Sequence, residues 1–217
     1  PIHLAVRNGH LGALKELIKG HANVNIVEPL EQETALHIAA SKGHLALVLV
    51  QTLLNTGIDI FALSTREGMG LVHFAARRGS ARILAELLQY RDTDANLTDA
   101  MDRSPLHHAV AVKNIACVRV LLDANAALKT EDPEGFAPLH RAFSLSSLTM
   151  AEMIIGKQLA QGISINLKDS RGRYPIHLAK TADMAPVVVE ALLGCGAKLD
   201  QLDDNKRNPM EALCATE

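Results

Sequence analysis

A short motif that returns along the whole chain constrains its fold more than any other feature. The motif holds an apolar residue, a histidine, a variable residue and an alanine. Its histidines are His3, His37, His73, His107, His140 and His177, at successive intervals of 34, 36, 34, 33 and 37 residues. A fixed period of about 20–50 residues is typical of proteins in which each repeat packs only on its neighbours. We therefore expect a linear stack of similar units.

The composition favours many thin layers over one bulky core. Hydrophobic residues make up 48% of the chain and charged residues 21%, as in a soluble folded protein. Two Tyr, four Phe and no Trp supply the aromatic rings. Such a core must be built mainly from Ala, Leu, Val and Ile.

Each copy of the motif continues in the same way. A short helical stretch follows the histidine, a glycine such as Gly9 or Gly79 comes next, and an apolar stretch such as Ile115–Ala124 follows. Turn residues such as those of Asp132–Gly135 then precede the next copy. We predict two helices and a hairpin in each repeat.

This arrangement resembles the ankyrin repeat, whose motif is T-P-L-H-x-A. Thr34–Ala39 and Ser104–Ala109 are the closest copies, and the resemblance extends from Pro1 to about Ala215. It implies an all-α ankyrin-repeat solenoid, with a helix-turn-helix and a β-hairpin per repeat in a curved array. We expect one domain with repeats at about 1–31, 32–67, 68–101, 102–134, 135–171 and 172–205, and a partial cap at 206–217.

Residues at the helix starts predict how firmly each first helix begins. Thr34 and Ser104 are favourable N-caps, whereas Gly70, Ala137 and Tyr174 take that place in other copies. Those three helices should depend on packing against neighbouring repeats. In the last copy, Asn208 and Glu211 flank Pro209 as a capping box.

Two repeats carry insertions. Repeat two is longer between Gly43 and Gly57, and repeat five lacks the glycine between its helices. Longer second helices are expected in both, either as recognition elements or as tolerated drift. The chain also starts at Pro1 within a repeat, so we expect further chain or a partner to cover the Pro1–Leu14 face.

No motif in the chain indicates catalysis, a cofactor or a metal site. Zinc ligands lie about 2.0–2.1 Å from the ion, whereas histidines one repeat apart are separated by about 8–10 Å. The resemblance instead implies a structural role for the six motif histidines. His21 and His108 lie outside the motif and are interpreted as ordinary surface or interface residues, and Cys117 as a small core residue.

Three cysteines without a C-x-x-C pair favour a reducing compartment, so a cytoplasmic or nuclear location is expected. The start of the chain does not allow targeting to be judged. The most apolar stretch, Leu45–Leu54, is far shorter than the roughly 20 residues of a membrane helix. We expect no membrane insertion.

Residues near the ends of the first helices should face the concave surface that solenoids use for binding. This set, the groove row, comprises Arg7, Asn8, Ser41, Lys42, Arg77, Arg78, Val112, Lys113, Phe143, Leu145 and Lys180. Its first three repeats are basic and its later ones more apolar. Acidic residues gather instead at later hairpins: Glu131, Asp132, Glu134, Asp200, Asp203 and Asp204. The row fits an acidic or mixed extended segment toward repeats one to three, and the competing interpretation is a set of solvated faces.

The leading hypothesis is a non-catalytic, monomeric protein-interaction module that binds a protein or peptide. The alternative is a recognition or regulatory segment of a larger enzyme, channel or effector. Nucleic-acid binding would use the basic row, but the formal charge of −2 disfavours it. Asn25 and Asn166 resemble sites of asparaginyl hydroxylation in the family.

Overall fold

The computed structural model describes residues 1–42, 47–60, 67–90, 93–179 and 192–214. Its first helices are α1 (Ile2–Arg7), α3 (Ala35–Ser41), α5 (Leu71–Arg77), α7 (Pro105–Ala111) and α9 (Pro138–Ser144). Its second helices are α2 (Leu11–Lys19), α4 (Leu47–Leu54), α6 (Ala81–Gln89), α8 (Ile115–Asp123) and α10 (Leu148–Ala160). A 3₁₀ turn at Pro175–Leu178 and the terminal helix α11 (Pro209–Cys214) complete the described elements.

The helices form two layers. Each first helix packs on the first helix of the next repeat, and the second helices of adjacent repeats approach each other less closely. Because the first-helix layer is the tighter one, the stack curves toward it, and that side is concave. Within the described part of the chain, β-structure is limited to single bridge residues, Val27 paired with Thr34 and a further one at Met69, so the predicted all-α solenoid is confirmed.

Small residues make the close approach of the first helices possible. Ala39 and Ala40 in α3, and Ala75 and Ala76 in α5, are fully buried between neighbouring layers. Apolar residues of the second helices, such as Leu53, fill the space behind them, and the buried side chains form one continuous core. None of the described helices is long and apolar enough to span a bilayer.

The described helix lengths test the predicted longer second helix in repeat five but not the one in repeat two. Helix α10 has 13 residues against nine in α8, so the longer second helix of repeat five is confirmed. The equivalent prediction for repeat two involves residues 43–46, which lie outside the described residues. In repeat six the first helix is a single 3₁₀ turn, because the backbone becomes extended at Ala179.

Gln158 in α10 is an exception within the core. Its side chain is fully buried, and neither its Oε1 nor its Nε2 has a hydrogen-bonding partner among the described residues. The carbonyl of Gln158 accepts the N–H of Ile163, and the carbonyl of Leu121 accepts the N–H of Ala126 in the same way. Gln158 therefore occupies the place of Leu121 in repeat four. A buried polar group without a partner costs about 1–3 kcal/mol.

Gln158→Leu should raise the free energy of unfolding by about 1–3 kcal/mol, because leucine fills a similar volume and leaves no amide unsatisfied. Urea denaturation followed by circular dichroism measures this change. The matched control is Leu121→Gln, which should lower the stability by a similar amount. An unchanged or lower stability of Gln158→Leu would show that the amide is satisfied.

Candidate protein-binding groove

The motif histidines hold the starts of their own helices. In the five motif histidines from His37 to His177, Nδ1 accepts the backbone N–H of the residue just before the helix. These bonds measure 3.3 Å for Thr34–His37, 3.1 Å for Gly70–His73 and Ser104–His107, and 3.2 Å for Ala137–His140 and Tyr174–His177. The imidazole therefore satisfies a backbone group that a capping-box glutamate would otherwise take.

The other ring nitrogen reaches the following repeat. Nε2 contacts a carbonyl oxygen of the next repeat in the pairs His73–Arg103 (3.1 Å), His107–Phe136 (2.8 Å), His140–Arg173 (3.2 Å) and His177–Arg207 (3.3 Å). His3 instead contacts the carbonyl of Ile26 in its own repeat at 2.9 Å, so the pairs with both bonds begin at His73. A backbone N–H can only donate and a carbonyl can only accept. In the four of these rings that make both bonds, Nε2 must carry the proton, and the imidazole is neutral.

This pair of bonds accounts for the helices that lack a polar cap. Gly70, Ala137 and Tyr174 have no side chain that bonds the free N–H groups of their helices. The sequence predicts that packing holds these first turns. The structure adds a hydrogen bond to the imidazole of the same repeat. The capping box predicted at the last copy is confirmed, because Asn208 and Glu211 exchange two bonds of 2.9 Å.

The hairpins are organised by buried aspartates rather than by strand pairing. Oδ1 of Asp169 accepts the N–H groups of Arg171 and Arg173, both within 2.9 Å, and its Oδ2 accepts Nε–H of Arg173 at 2.8 Å. Asp99, Asp132 and Asp203 close their turns in the same manner. The interpretation of the later acidic residues as a solvated face is therefore wrong for Asp132 and Asp203, which are buried turn anchors.

His108 also differs from its interpretation as an ordinary surface or interface residue. It is buried, and its Nε2 lies 2.9 Å from Oδ2 of Asp99. Its ring meets the ring of His73 edge-on at 5.6 Å. The residue after the motif histidine faces the preceding repeat, so a polar residue there can bond the hairpin between the two repeats.

Burial controls the ionisation of these groups. Desolvation, followed by the nearby His108, lowers the pKa of His73 from 6.5 to about 4. Desolvation also lowers the pKa values of His107, His108, His140 and His177. Burial opposes ionisation of Asp99, but hydrogen bonds from Arg103 and His108 outweigh it and lower its pKa to about 2.

The cations of the groove row divide into neutralised and available ones. Nη2 of Arg7 lies 2.8 Å from Glu28, and Nη1 of Arg77 lies 2.6 Å from Glu67. Lys42, Arg78 and Lys113 are exposed and form no ion pair with a described residue. Asn8 is exposed as well, and the half-buried Ser41 donates its hydroxyl to the carbonyl of Ile38.

The apolar members of the row differ in accessibility. Val112 is 44% exposed, and Leu145 is half-buried against the core. Phe143 is fully buried, so its assignment to the groove is wrong. Phe143 comes three positions after His140, as Ala40 comes three positions after His37 in repeat two. This spacing places it on the buried face of the helix. Lys180 lies outside the described residues.

Sequence reasoning missed an acidic hairpin beside the basic positions. Glu28, Glu31 and Glu33 lie in the connection between the first two repeats. Burial, followed by the charges of Glu31 and Glu28, raises the pKa of Glu33, while Arg77 and Arg7 oppose the rise. The close spacing of these glutamates in the sequence is the signal that could have revealed them. The surface of repeats one to three is therefore of mixed charge.

A row of asparagines links the loops that follow the second helices. Oδ1 of Asn25 accepts the N–H of Asp59 at 2.9 Å, and Oδ1 of Asn96 accepts the N–H of Ala127 at 2.6 Å. Asn166 donates from Nδ2 to the carbonyl of Gly196 at 2.8 Å. Asn96 was not singled out from the sequence. Hydroxylation of Asn25 and Asn166 stays a prediction.

The described residues contain no cluster of His, Cys, Asp or Glu suited to a metal ion. An open depression of about 670 Å³ lies on the N-terminal end face, where Leu4 is 59% exposed. Burial raises the pKa of the Cys117 thiol to about 11, so Cys117 is unsuited to act as a thiolate, in line with its predicted core role.

Comparisons with known proteins agree on one architecture. A family model described as ankyrin repeats, in three copies, matches residues 2–99 and 72–169. The ankyrin repeat protein nuc-2 of Neurospora crassa is 28% identical over 200 residues, which are 92% of this chain and 18% of that protein. The chain thus spans about a fifth of the length of this curated relative.

Two solved structures superpose closely. The ankyrin repeat domain of Bcl-3, described as a unique member of the IkappaB family, gives a TM-score of 0.81 at 25% identity and covers 98% of this chain and 92% of that one. The human ASB11 ankyrin repeat domain gives a TM-score of 0.80 at 26% identity, and the superposition covers 100% of this chain and 97% of that one.

Stability should fall as the pH drops from about 6.5 to about 4. The folded state lowers the pKa values of His73, His107, His108, His140 and His177, so the unfolded chain binds more protons in this range and acid favours unfolding. The shift at His73 corresponds to about 3 kcal/mol. Urea midpoints measured between pH 7.5 and pH 4 test this expectation.

A second measurement assigns the loss of stability to the imidazoles. The ring of His73 should titrate well below pH 6.5 in an NMR titration of the folded protein. A His73 ring that titrates near 6.5, or urea midpoints that stay constant above pH 4, would contradict the neutral tautomer. A further loss below about pH 4 is expected as Asp99 becomes protonated.

Proposed function

Because the chain belongs to the ankyrin-repeat family, we propose that this segment is a non-catalytic module that binds a partner protein along its concave face. The observation that carries the proposal is the row of exposed side chains at the ends of the first helices. Lys42 and Arg78 each close a first helix and point into solvent without an ion pair in the described structure. The repeats behind them form a rigid support.

The rigidity of that support favours recognition by shape and charge. The imidazole bonds and the aspartate turns fix each hairpin against the next repeat. A pre-organised surface binds with a smaller loss of conformational entropy. The mixed charges of repeats one to three and the partly apolar positions Val112 and Leu145 suit a partner segment with both acidic and apolar residues. A monomeric state is part of the proposal.

A second proposal concerns the context of the module. The matched part of nuc-2 is 18% of that protein, so a role as the recognition segment of a longer protein is equally consistent with the proposed binding. A cytoplasmic or nuclear location is part of the proposal, and the free thiols of Cys117 and Cys195 support it. Duplex nucleic acid is not proposed as a partner, because the net charge is −2.

Reversing the charge of the available cations tests the groove. A partner protein is first isolated with the wild-type chain. The double variant Lys42→Glu and Arg78→Glu should bind this partner with an affinity lower by about tenfold or more. The reason is that each reversal removes an attraction and adds a repulsion. Isothermal titration calorimetry with the purified partner gives the affinity.

The matched control is Lys15→Glu with Arg82→Glu. Both residues are exposed cations on second helices, away from the groove, so this control alters the net charge equally. The control should bind as the wild type does. If both double variants weaken partner binding equally, or if neither weakens it, the partner does not bind along the groove and the proposal fails.

A further inference from the structure

The cations available in the groove recur once per repeat. Lys42 directly follows α3, Arg78 directly follows α5, and Lys113 lies two residues beyond the end of α7, just after Val112. All three are exposed, whereas Arg7 and Arg77 are held by the groove's own glutamates. Repeats two, three and four therefore each offer one free positive charge just after the first helix, in a chain whose net charge is −2.

The spacing of these charges follows from helix packing. Adjacent packed helices lie about 8–10 Å apart, and α3, α5 and α7 are successive neighbours in the first-helix layer. A partner that meets all three cations must present negative charges at the same interval on one side of its chain.

Three backbone conformations place side chains on one face at different intervals. In a β-strand, alternate residues share a face about 6.6–6.8 Å apart. In a polyproline II helix, with 3 residues per turn and a rise of about 3.1 Å, every third residue shares a face about 9.3 Å apart. In an α-helix, residues seven apart lie about 10.5 Å from each other.

The surface itself favours the second conformation. A strand would add to a sheet edge, but Lys42, Arg78 and Lys113 lie in the turns that follow helices and belong to no strand. A helix would need a hydrophobic groove, but Ser41, Lys42 and Arg78 make this stretch polar, and Val112 is its exposed apolar side chain. A polyproline II segment keeps its backbone solvated and needs neither.

We propose that the groove binds a protein segment in polyproline II conformation that carries a carboxylate at every third position, one for each of Lys42, Arg78 and Lys113. This inference rests on the proposed function and specifies its partner. About seven residues of such a segment span the three repeats. The acidic side chains align with the cations, and the intervening residues face solvent.

Four synthetic peptides test the interval. Three of them share one composition of three glutamates among prolines and serines, with the glutamates two, three or four residues apart. A fourth peptide, which is longer and has its own helix-forming composition, places the glutamates seven residues apart. Fluorescence anisotropy at low salt gives the affinities. The three-residue interval should bind about threefold tighter than the two- and four-residue intervals, and Lys113→Glu should lower its affinity about threefold.

The controls separate this inference from the proposed function. Lys15→Glu should leave the peptide affinity unchanged. Tightest binding by the two-, four- or seven-residue interval, equal binding by all, or no binding would overturn the inference. If a protein partner still depends on Lys42 and Arg78 in those cases, the proposed function stands without this interval. If partner binding ignores Lys42 and Arg78, the proposed function fails.

Discussion

The neutral imidazole between adjacent repeats is the interaction on which the rest of the structure depends. Its Nδ1 fixes the start of its own helix, and its Nε2 fixes the hairpin of the next repeat, as in His73 with Gly70 and Arg103. One side chain thus couples local structure to stacking. Because the hairpins bonded by His73, His107, His140 and His177 are held in this way, the first helices next to them line up and present their ends on one surface.

The aspartate turns complete this framework by stabilising the hairpins from within. Asp99 and Asp169 accept backbone N–H groups and an arginine four residues later, so these turns need no strand partner. In the middle of the stack, His108 joins this system from the neighbouring helix. The polar groups of the hairpins are therefore satisfied next to an apolar core, and few of the charges there are free to meet a partner.

The repeat spacing predicted the architecture because histidine, alanine and leucine recur at positions that only one kind of stack can bury. The same reasoning predicted the long helix α10 and the capping box at Asn208. The prediction of groove residues was wrong at Phe143. This apolar residue lies one helical turn from His140, on the buried face of the helix. Sequence reasoning also failed to predict which cations are neutralised. The pair Arg7–Glu28 joins distant parts of repeat one, the pair Arg77–Glu67 joins repeat three to the end of repeat two, and side-chain geometry decides both.

Gln158 has a consequence for the order in which the chain assembles. In a one-dimensional stack, folding can begin at any repeat and spread to its neighbours. The layer that contains an unsatisfied buried amide is the least favourable place to begin. Assembly should therefore start around repeats three and four, where the paired rings of His73 and His108 meet, and growth toward the C-terminus should slow on reaching α10.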